Sequence, residues 1–414
     1  MPRIRIQNFG PVKEGVTDSQ GWIDIKKVTV FIGNQGSGKS TVAKLISTFM
    51  WIEKALWRGD YPVKFFERKN KLKNQFLTYH RLENYLKNNG GGASLIEYEG
   101  DAFWIKFEGG FLNVEERPAS NYPLPQIMYV PAERNFISYV KTPKELKFSS
   151  ESLKEFVSEF DNAKNEMKGS VKLPVNNVDV EYDKLNDTIN LKGDGYKVRI
   201  NEASSGFQSL VPVYLVSQYL ANSVKKQSES RDQMTSDELS RFRKGAEAII
   251  SNDSLTDEQK RIAISVLSSR FNKSSFINIV EEPEQNLFPF SQWNLLASLL
   301  EFNNMNSGNT LIMTTHSPYI VNYLTIAVQA HTLQEKIAKL KNNAALEKLG
   351  SVIPLKAIVS GEDVMVYELS EKTGTIKKLP DYHGVPTDKN YLNQALKEGN
   401  ELFDKLLEIE EDLK

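Results

Sequence analysis

Lys39 and Ser40 stand near the end of Gly33-Asn34-Gln35-Gly36-Ser37-Gly38-Lys39-Ser40-Thr41, between the apolar run Val28-Thr29-Val30-Phe31-Ile32 and a helical pattern that begins at Val42. Glycines at this spacing let the backbone curl so that successive N–H groups point at one anion, and the helix that follows turns its positive end to the same place. In such a loop the lysine ammonium reaches the outer phosphates of a nucleotide, and the serine hydroxyl is the expected magnesium ligand. A glycine-rich turn can match by chance, but strand, loop and helix in this order favour a nucleotide site.

Two more strand ends carry polar groups. Phe276-Ile277-Asn278-Ile279-Val280 runs into Glu281-Glu282-Pro283-Glu284-Gln285-Asn286-Leu287-Phe288-Pro289. Side chains alternate along a strand, which predicts one carboxylate on each side of its end. One acid can then hold the magnesium shell while the other faces the attacking water; by themselves the two could merely cap the strand. Thr310-Leu311-Ile312-Met313-Thr314 delivers Thr315-His316-Ser317-Pro318. A single histidine after a strand is commonly structural, yet three strand ends bearing polar groups suggest one site at the carboxyl edge of a sheet. Ala203-Ser204-Ser205-Gly206-Phe207-Gln208-Ser209 opens a helix with Leu210, Val213, Leu215 and Tyr219 as apolar positions.

The chain has 414 residues, 40% of them hydrophobic, enough for one large nucleotide-binding domain with insertions or for two domains. A formal net charge of −1 supplies no global basic field for nucleic acid. The absence of cysteine removes disulfides, thiolate metal sites and cysteine nucleophiles together. No signal-peptide core and no apolar run of membrane-spanning length is present, so the expectation is a cytoplasmic protein with no membrane contact.

Other elements must position these residues. An outer strand at Arg3 to Ile6 turns at Asn8-Phe9-Gly10-Pro11, and a second strand lies around Trp22 to Ile25. Val42, Leu45, Ile46, Phe49 and Met50 form an apolar helical stripe. From Tyr61 to about Lys87 basic and aromatic residues interleave: a grip on nucleic acid or an acidic partner is conceivable, but a solvated helix with a buried aromatic face explains the pattern better. After Gly90-Gly91-Gly92, alternating runs at Leu95 to Tyr98, Phe103 to Phe107 and Phe111 to Val114 read as an antiparallel meander. A strand at Ile127 to Val130, a helix from Ser150 to Met167 and strands at Val178 to Tyr182, Thr188 to Leu191 and Lys197 to Ile200 follow.

Residues 223–273 read as a polar helical insertion with capping boxes at Thr235 to Glu238 and Thr256 to Gln259. Its apolar positions Ile262, Val266, Leu267 and Phe271 can pack on the body or on a partner. A helix through about Lys341, strands at Val364 to Tyr367 and Thr375 to Leu379, and an amphipathic helix with Leu392, Leu396, Phe403, Leu406 and Ile409 close the chain. The organisation expected is a single domain over 1–414, with an aromatic, basic and meander segment at 61–125, the insertion at 223–273 and a C-terminal strand pair and helix at 342–414.

In this order and spacing, the runs at 33–41, 204–209, 278–289 and 314–318 resemble the ABC-type ATPases of the SMC, RecF and OLD group. The resemblance implies an α/β, ABC-type P-loop NTPase with a mixed sheet, an antiparallel β meander and a helical insertion. It implies ATP and Mg2+ as cofactors, with Gly33 to Thr41 around the nucleotide and Ser40 and Glu281 at the metal. Ser205 and Gly206 become the signature that closes on the γ-phosphate of a neighbour's ATP, Glu282 the base and His316 the switch histidine. Two positions depart from the pattern: Glu281 replaces the usual aspartate, and Phe207 the second signature glycine.

Neither a long heptad run nor acids at Toprim spacing occurs. A stand-alone ATPase of this kind is similar to the ATPase subunits of two-component, PARIS-type bacterial anti-phage systems. That likeness implies a homo-oligomer, at least a dimeric ATP sandwich and up to a hexamer, which holds a separate Toprim nuclease. It also implies release of the nuclease when a phage-encoded DNA-mimicking protein binds. The stretches Lys64 to Tyr85 and Thr235 to Phe271 are the expected docking surfaces. A RecF-like ATPase of DNA repair or organisation is the alternative, a small-molecule kinase has no visible substrate motif, and direct binding of nucleic acid stays open.

Overall fold

The computed structural model describes residues 1–87, 92–118, 122–140, 150–229, 236–252, 273–412 and the single positions 255, 259, 263 and 267. Along the chain, β1 (Arg3–Gln7), β2 (Trp22–Asp24) and β3 (Val28–Gly33) lead into α1 (Lys39–Arg58). The short α2 (Val63–Phe66) precedes β4 (Leu95–Glu99), β5 (Phe103–Glu108), β6 (Phe111–Glu116) and β7 (Pro125–Val130). Next come α3 (Glu151–Glu166), β8 (Ser170–Lys172), β9 (Asp179–Asp183), β10 (Thr188–Gly193), β11 (Tyr196–Arg199), α4 (Ser205–Glu229) and α5 (Ser236–Ile250). The remainder comprises β12 (Ser275–Glu281), α6 (Pro289–Asn303), β13 (Thr310–Thr315), α7 (Pro318–Leu340), α8 (Asn343–Val352), β14 (Val364–Leu369), β15 (Ile376–Lys378) and α9 (Tyr391–Asp412).

A six-stranded mixed sheet in the order β15-β14-β3-β13-β12-β7 carries the site. Its strands β14, β3, β13, β12 and β7 are mutually parallel, and only β15 runs against its neighbour. These strands read as continuous apolar runs because both faces are covered. Alternation then sorts each strand between two cores. Val28, Val30 and Ile32 face a core built with α3, α4, α6 and α7, whereas Phe31 faces a second core shared by α1 and the antiparallel sheet. That antiparallel sheet has the order β2-β1-β4-β5-β6, so the meander extends the N-terminal hairpin rather than standing alone. A four-stranded antiparallel sheet, β11-β10-β9-β8, contributes Val180, Ile189 and Leu191 to the first core.

Several sequence expectations need correction. The helix after the loop starts at Lys39, not Val42, because Gly38 already supplies its N-cap. Residues 61–87 form α2, a π-helical turn at Leu72–Leu77 and a 3-10 turn at Glu83–Tyr85 in place of one helix. Left-handed Asn70 and Arg81 interrupt it. Its aromatic side is nevertheless buried through Phe66 and Phe76, while Lys64, Arg68 and Lys69 are exposed. Strand β8 and helix α8 were not anticipated.

Helix α4 continues to Glu229, past residue 223 where the polar segment begins. The expected capping residues Thr235 and Thr256, the apolar Ile262, Val266 and Phe271, and Gly90 and Gly91 lie outside the described residues. Among the described side chains of α9 only Leu392 is buried; Leu396, Phe403, Leu406 and Ile409 face solvent in the single chain, Phe403 and Leu406 at 61% and 63% exposure.

Candidate functional site

The register of the parallel strands sets the site. Ile32 pairs with Thr315, Gly33 with Leu369 and Glu281 with Thr314, so β3, β12, β13 and β14 end at one edge. At that edge the chain leaves β3 as the loop 33–38, with Gly33 and Gly38 at φ of 144° and 101°. A Cβ at Gly33 would stand 2.4 Å from the Leu369 carbonyl oxygen, so β14 holds the loop against any larger residue. The Asn34 side-chain amide donates to Glu371 at 3.2 Å, and the Gln35 N–H to the Asn34 side-chain oxygen at 2.8 Å. Asn34, Gln35 and Gly36 are exposed, Ser40 is half-buried and Thr41 buried.

Lys39 is buried, and its Nζ donates to the carbonyls of Gly33 and Asn34, each at 2.9 Å. Burial lowers its pKa to about 8, opposed by the carboxylates of Glu282, Glu284, Glu371 and Glu281. Nζ also lies 3.5 Å from His316 Nδ1, and His316 Nε2 lies 3.5 Å from Glu282 Oε1. Lys39, His316 and Glu282 therefore form one polar chain drawn from three strand ends. The hydrogen bond to His316, reinforced by the charges of His316, Lys39 and Arg134, holds the Glu282 carboxyl below the usual range despite its partial burial.

The two acids diverge for a reason that alternation misses. Glu281 is the last residue of β12, but Glu282 has left the strand and sits in a left-handed conformation at φ 44°. Its N–H donates to the Thr314 carbonyl at 2.8 Å, which fixes the turn. Glu281 is buried, accepts from the Ala132 N–H at 3.3 Å and lies 3.9 Å from Lys44 Nζ.

Arg134 and Glu284 also belong to this constellation, and the sequence reading gave neither a role. Arg134 is fully buried, and its guanidinium donates to the carbonyls of Ser209, Pro131, Glu281 and Glu282, the last at 2.6 Å. Burial lowers its pKa to about 10, which leaves it charged at neutral pH. It joins the first turn of α4 to the end of β12. Glu284 accepts from the His316 N–H at 2.7 Å, and burial raises its pKa. The available signal was positional: Pro131-Ala132-Glu133-Arg134 follows β7 as Glu282-Pro283-Glu284 follows β12.

Ser205 is exposed at the start of α4, and no hydrogen bond or ion pair among the described residues joins Ser205 or Gly206 to the loop 33–41. A Cβ at Gly206 would meet the Asn286 carbonyl oxygen at 3.0 Å, and Asn286 Nδ2 donates to Ser209 Oγ at 3.0 Å. The segment 204–209 thus packs on the acidic loop of its own chain through Gly206 and Ser209, while Ser205 is exposed.

Buried polar atoms at the sheet edge fit a polyphosphate with a divalent cation. The hydroxyls of Ser37 and Thr314 and one carboxylate oxygen each of Glu281 and Glu284 have no hydrogen-bond partner among the described residues. No three metal-binding side chains gather among the described residues, and Mg2+ ordinarily combines one or two carboxylates with phosphate oxygens and water.

No family model and no curated protein matches the chain. Among solved structures it is similar to an SMC head domain from Thermotoga maritima, at 9% identity over 92% of this chain and 98% of that one, with a TM-score of 0.39. It is similar also to an Smc head domain with an extended coiled coil from Pyrococcus furiosus, bound to the C-terminal domain of ScpA: 12% identity, 97% and 100% coverage, TM-score 0.37. A dimeric ATP-binding cassette in a post-hydrolysis state with ADP and Pi gives 12%, 92% and 100%, and 0.30. The fold description rests on the strand order and the loop themselves.

Proposed function

We propose that this chain binds and hydrolyses ATP, and that its ATP cycle regulates a separate protein. The carrying observation is the chain Lys39–His316–Glu282 at the carboxyl edge of a parallel sheet, beside a phosphate-binding loop. In this reading the loop N–H groups from Gly33 to Gly38, the N-terminus of α1 and the Lys39 ammonium hold the β and γ phosphates. Ser40 and Glu281 hold Mg2+, which when bound neutralises phosphate charge. Glu282, kept ionised by His316, orients a water and accepts its proton. His316 ties that carboxylate to the lysine, and Glu284 and Arg134 fix the two loops.

Ser205 and Gly206 present the N-terminus of α4 to solvent, suited to the ATP of a second copy. The exposed rings of Phe288, Phe290 and Tyr319, which flank the acidic loop and His316, support such an oligomer. The uncovered apolar side of α9 supports a further protein contact. The role we propose is the ATPase subunit of a PARIS-type defence complex, resembling AriA: a homo-oligomer, at least dimeric, that holds a Toprim nuclease and frees it when a phage-encoded DNA mimic binds.

Co-purification from the native host tests the regulatory reading. A stoichiometric nuclease-bearing chain should accompany the wild type, and its retention should differ between ATP-bound and released states. Cleavage of DNA or tRNA by the isolated chain, lost in Glu282→Gln, would overturn the reading, as would steeply salt-dependent DNA binding that stimulates hydrolysis.

A further inference from the structure

Helices α7 and α8 pack together past the left-handed turn at Lys341 and leave a groove of about 660 Å³. Ile326, Ala330, Leu333 and Ile337 recur at helical spacing, so the groove follows one side of α7, and Leu349 and Val352 of α8 form the opposite wall. Ala330, Ile337 and Leu349 are buried at its floor, while Ile326, Leu333 and Val352 are 38%, 44% and 63% exposed. Its α7 residues run from Thr325 to Ile337, roughly 18 Å of helix, and begin about two turns beyond Pro318, clear of His316.

Helix α9 is a second uncovered apolar surface. Its first turn is tied to the body: the Tyr391 N–H donates to Glu368 at 2.7 Å, Leu392 is buried, and the Asn393 side-chain amide donates to the Asp388 carbonyl at 2.8 Å. From Gln394 to Glu411 every residue is exposed, so α9 does not fill the groove of its own chain. Leu396, Leu402, Phe403, Leu406 and Ile409 nevertheless gather on one side of it, over roughly 20 Å of helix. An apolar side of this extent is what a helix lays into a groove of matching length.

The charges decide which helix fits. Around the groove, residues 318–356 carry five exposed lysines, Lys336, Lys339, Lys341, Lys348 and Lys356, against Glu335 and Glu347. Lys348 lines the groove itself. On α9, residues 391–411 carry Glu398, Glu401, Asp404, Glu408, Glu410 and Glu411 against Lys397 and Lys405. Two α9 helices side by side would set like charges together, whereas the groove offers α9 the opposite sign.

We infer that the α7–α8 groove receives α9 of a second copy of this chain, with the apolar side of the helix on the groove floor and its acids against the lysine rim. Each copy offers one helix and one groove on different surfaces, so the contact closes as a reciprocal pair or as a ring. It uses none of the residues assigned to the nucleotide. The contact therefore forms without ATP and stands apart from the shared ATP site proposed above.

Cross-linking and sedimentation of the full chain without nucleotide test it. The chain has no cysteine, so introduced thiols are its only ones. Chains carrying Leu333→Cys and chains carrying Leu406→Cys, co-expressed and treated with a short bismaleimide, should form a covalent two-chain product that neither variant forms alone. By sedimentation the wild type and Lys39→Ala should self-associate alike. Leu406→Asp should weaken that association at least about tenfold, and Lys348→Glu about tenfold. Both positions are exposed, so thermal midpoints should stay at the wild-type value. A nucleotide-free chain that stays monomeric, or association undiminished in the two folded variants, would overturn the inference. So would a product from Leu406→Cys chains alone, which places α9 on α9, or a link formed only within one chain carrying both cysteines, which places α9 in its own groove.

Discussion

Arg134 reaches four backbone carbonyls from one buried guanidinium, and no other side chain type can do so from that position. Replacing it with methionine keeps much of the volume but strands those oxygens. Arg134→Met should destabilise the protein by at least about 3 kcal/mol and lower turnover more than ATP affinity, read by chemical denaturation and steady-state kinetics. Equal stability would mean that the carbonyls find water. At this scale the loop 33–41 and the pair Glu281-Glu282 were legible because their residues are contiguous in sequence. Arg134 was not, since its meaning lies in the Glu281 and Glu282 carbonyls far along the chain. The aim of Glu282 was half legible: alternation predicts divergence, but the left-handed backbone that produces it has no local signature, glutamate being an unusual residue there.

Among the elements, α1 carries the loop into the second core and is pinned there by Glu53. This buried carboxyl is bonded to the Tyr98 hydroxyl at 2.7 Å and to the N–H groups of Ala102 and Phe103. Burial raises its pKa from 4.5 to about 7, so between those values the folded protein keeps a proton that the unfolded chain loses. This contribution is full below pH 4.5 and is lost as pH rises through about 7, amounting to on the order of 3 kcal/mol. Buried neutral His80 has the opposite sign between pH 3 and 6.5, so the test is a difference. Stability of Glu53→Gln relative to wild type should improve from pH 4.5 to 7.5; a constant difference would show that Glu53 is not protonated in the fold.

The strands of the mixed sheet were legible as apolar runs bounded by polar turns, because burial on both faces leaves that trace. Residues 61–87 were not, because the aromatic spacing suggests one helix while left-handed Asn70 and Arg81 divide it. Helix α8 escaped notice although Asn342 caps it by accepting from the Ala345 N–H.

For the whole molecule, the function proposed above, with Ser205 exposed at the start of α4, predicts catalysis shared between copies. Mixed oligomers of Lys39→Ala and Ser205→Arg chains should regain part of the wild-type hydrolysis, since some interfaces then hold one intact loop and one intact signature. Mixtures as inactive as either parent, with mixed assembly proven by mass, would place both halves of the site in one chain. The exposed apolar side of α9 belongs to this scale too: sequence periodicity reveals such a side but not what covers it. The most direct measurement is ATP affinity and turnover of the purified assembly carrying Glu282→Gln in every subunit, beside wild type and Lys39→Ala. The account predicts that Glu282→Gln keeps its affinity for ATP with Mg2+ while turnover falls by roughly two to four orders of magnitude, and that Lys39→Ala loses affinity or turnover. Hydrolysis at the wild-type rate in either variant would contradict it.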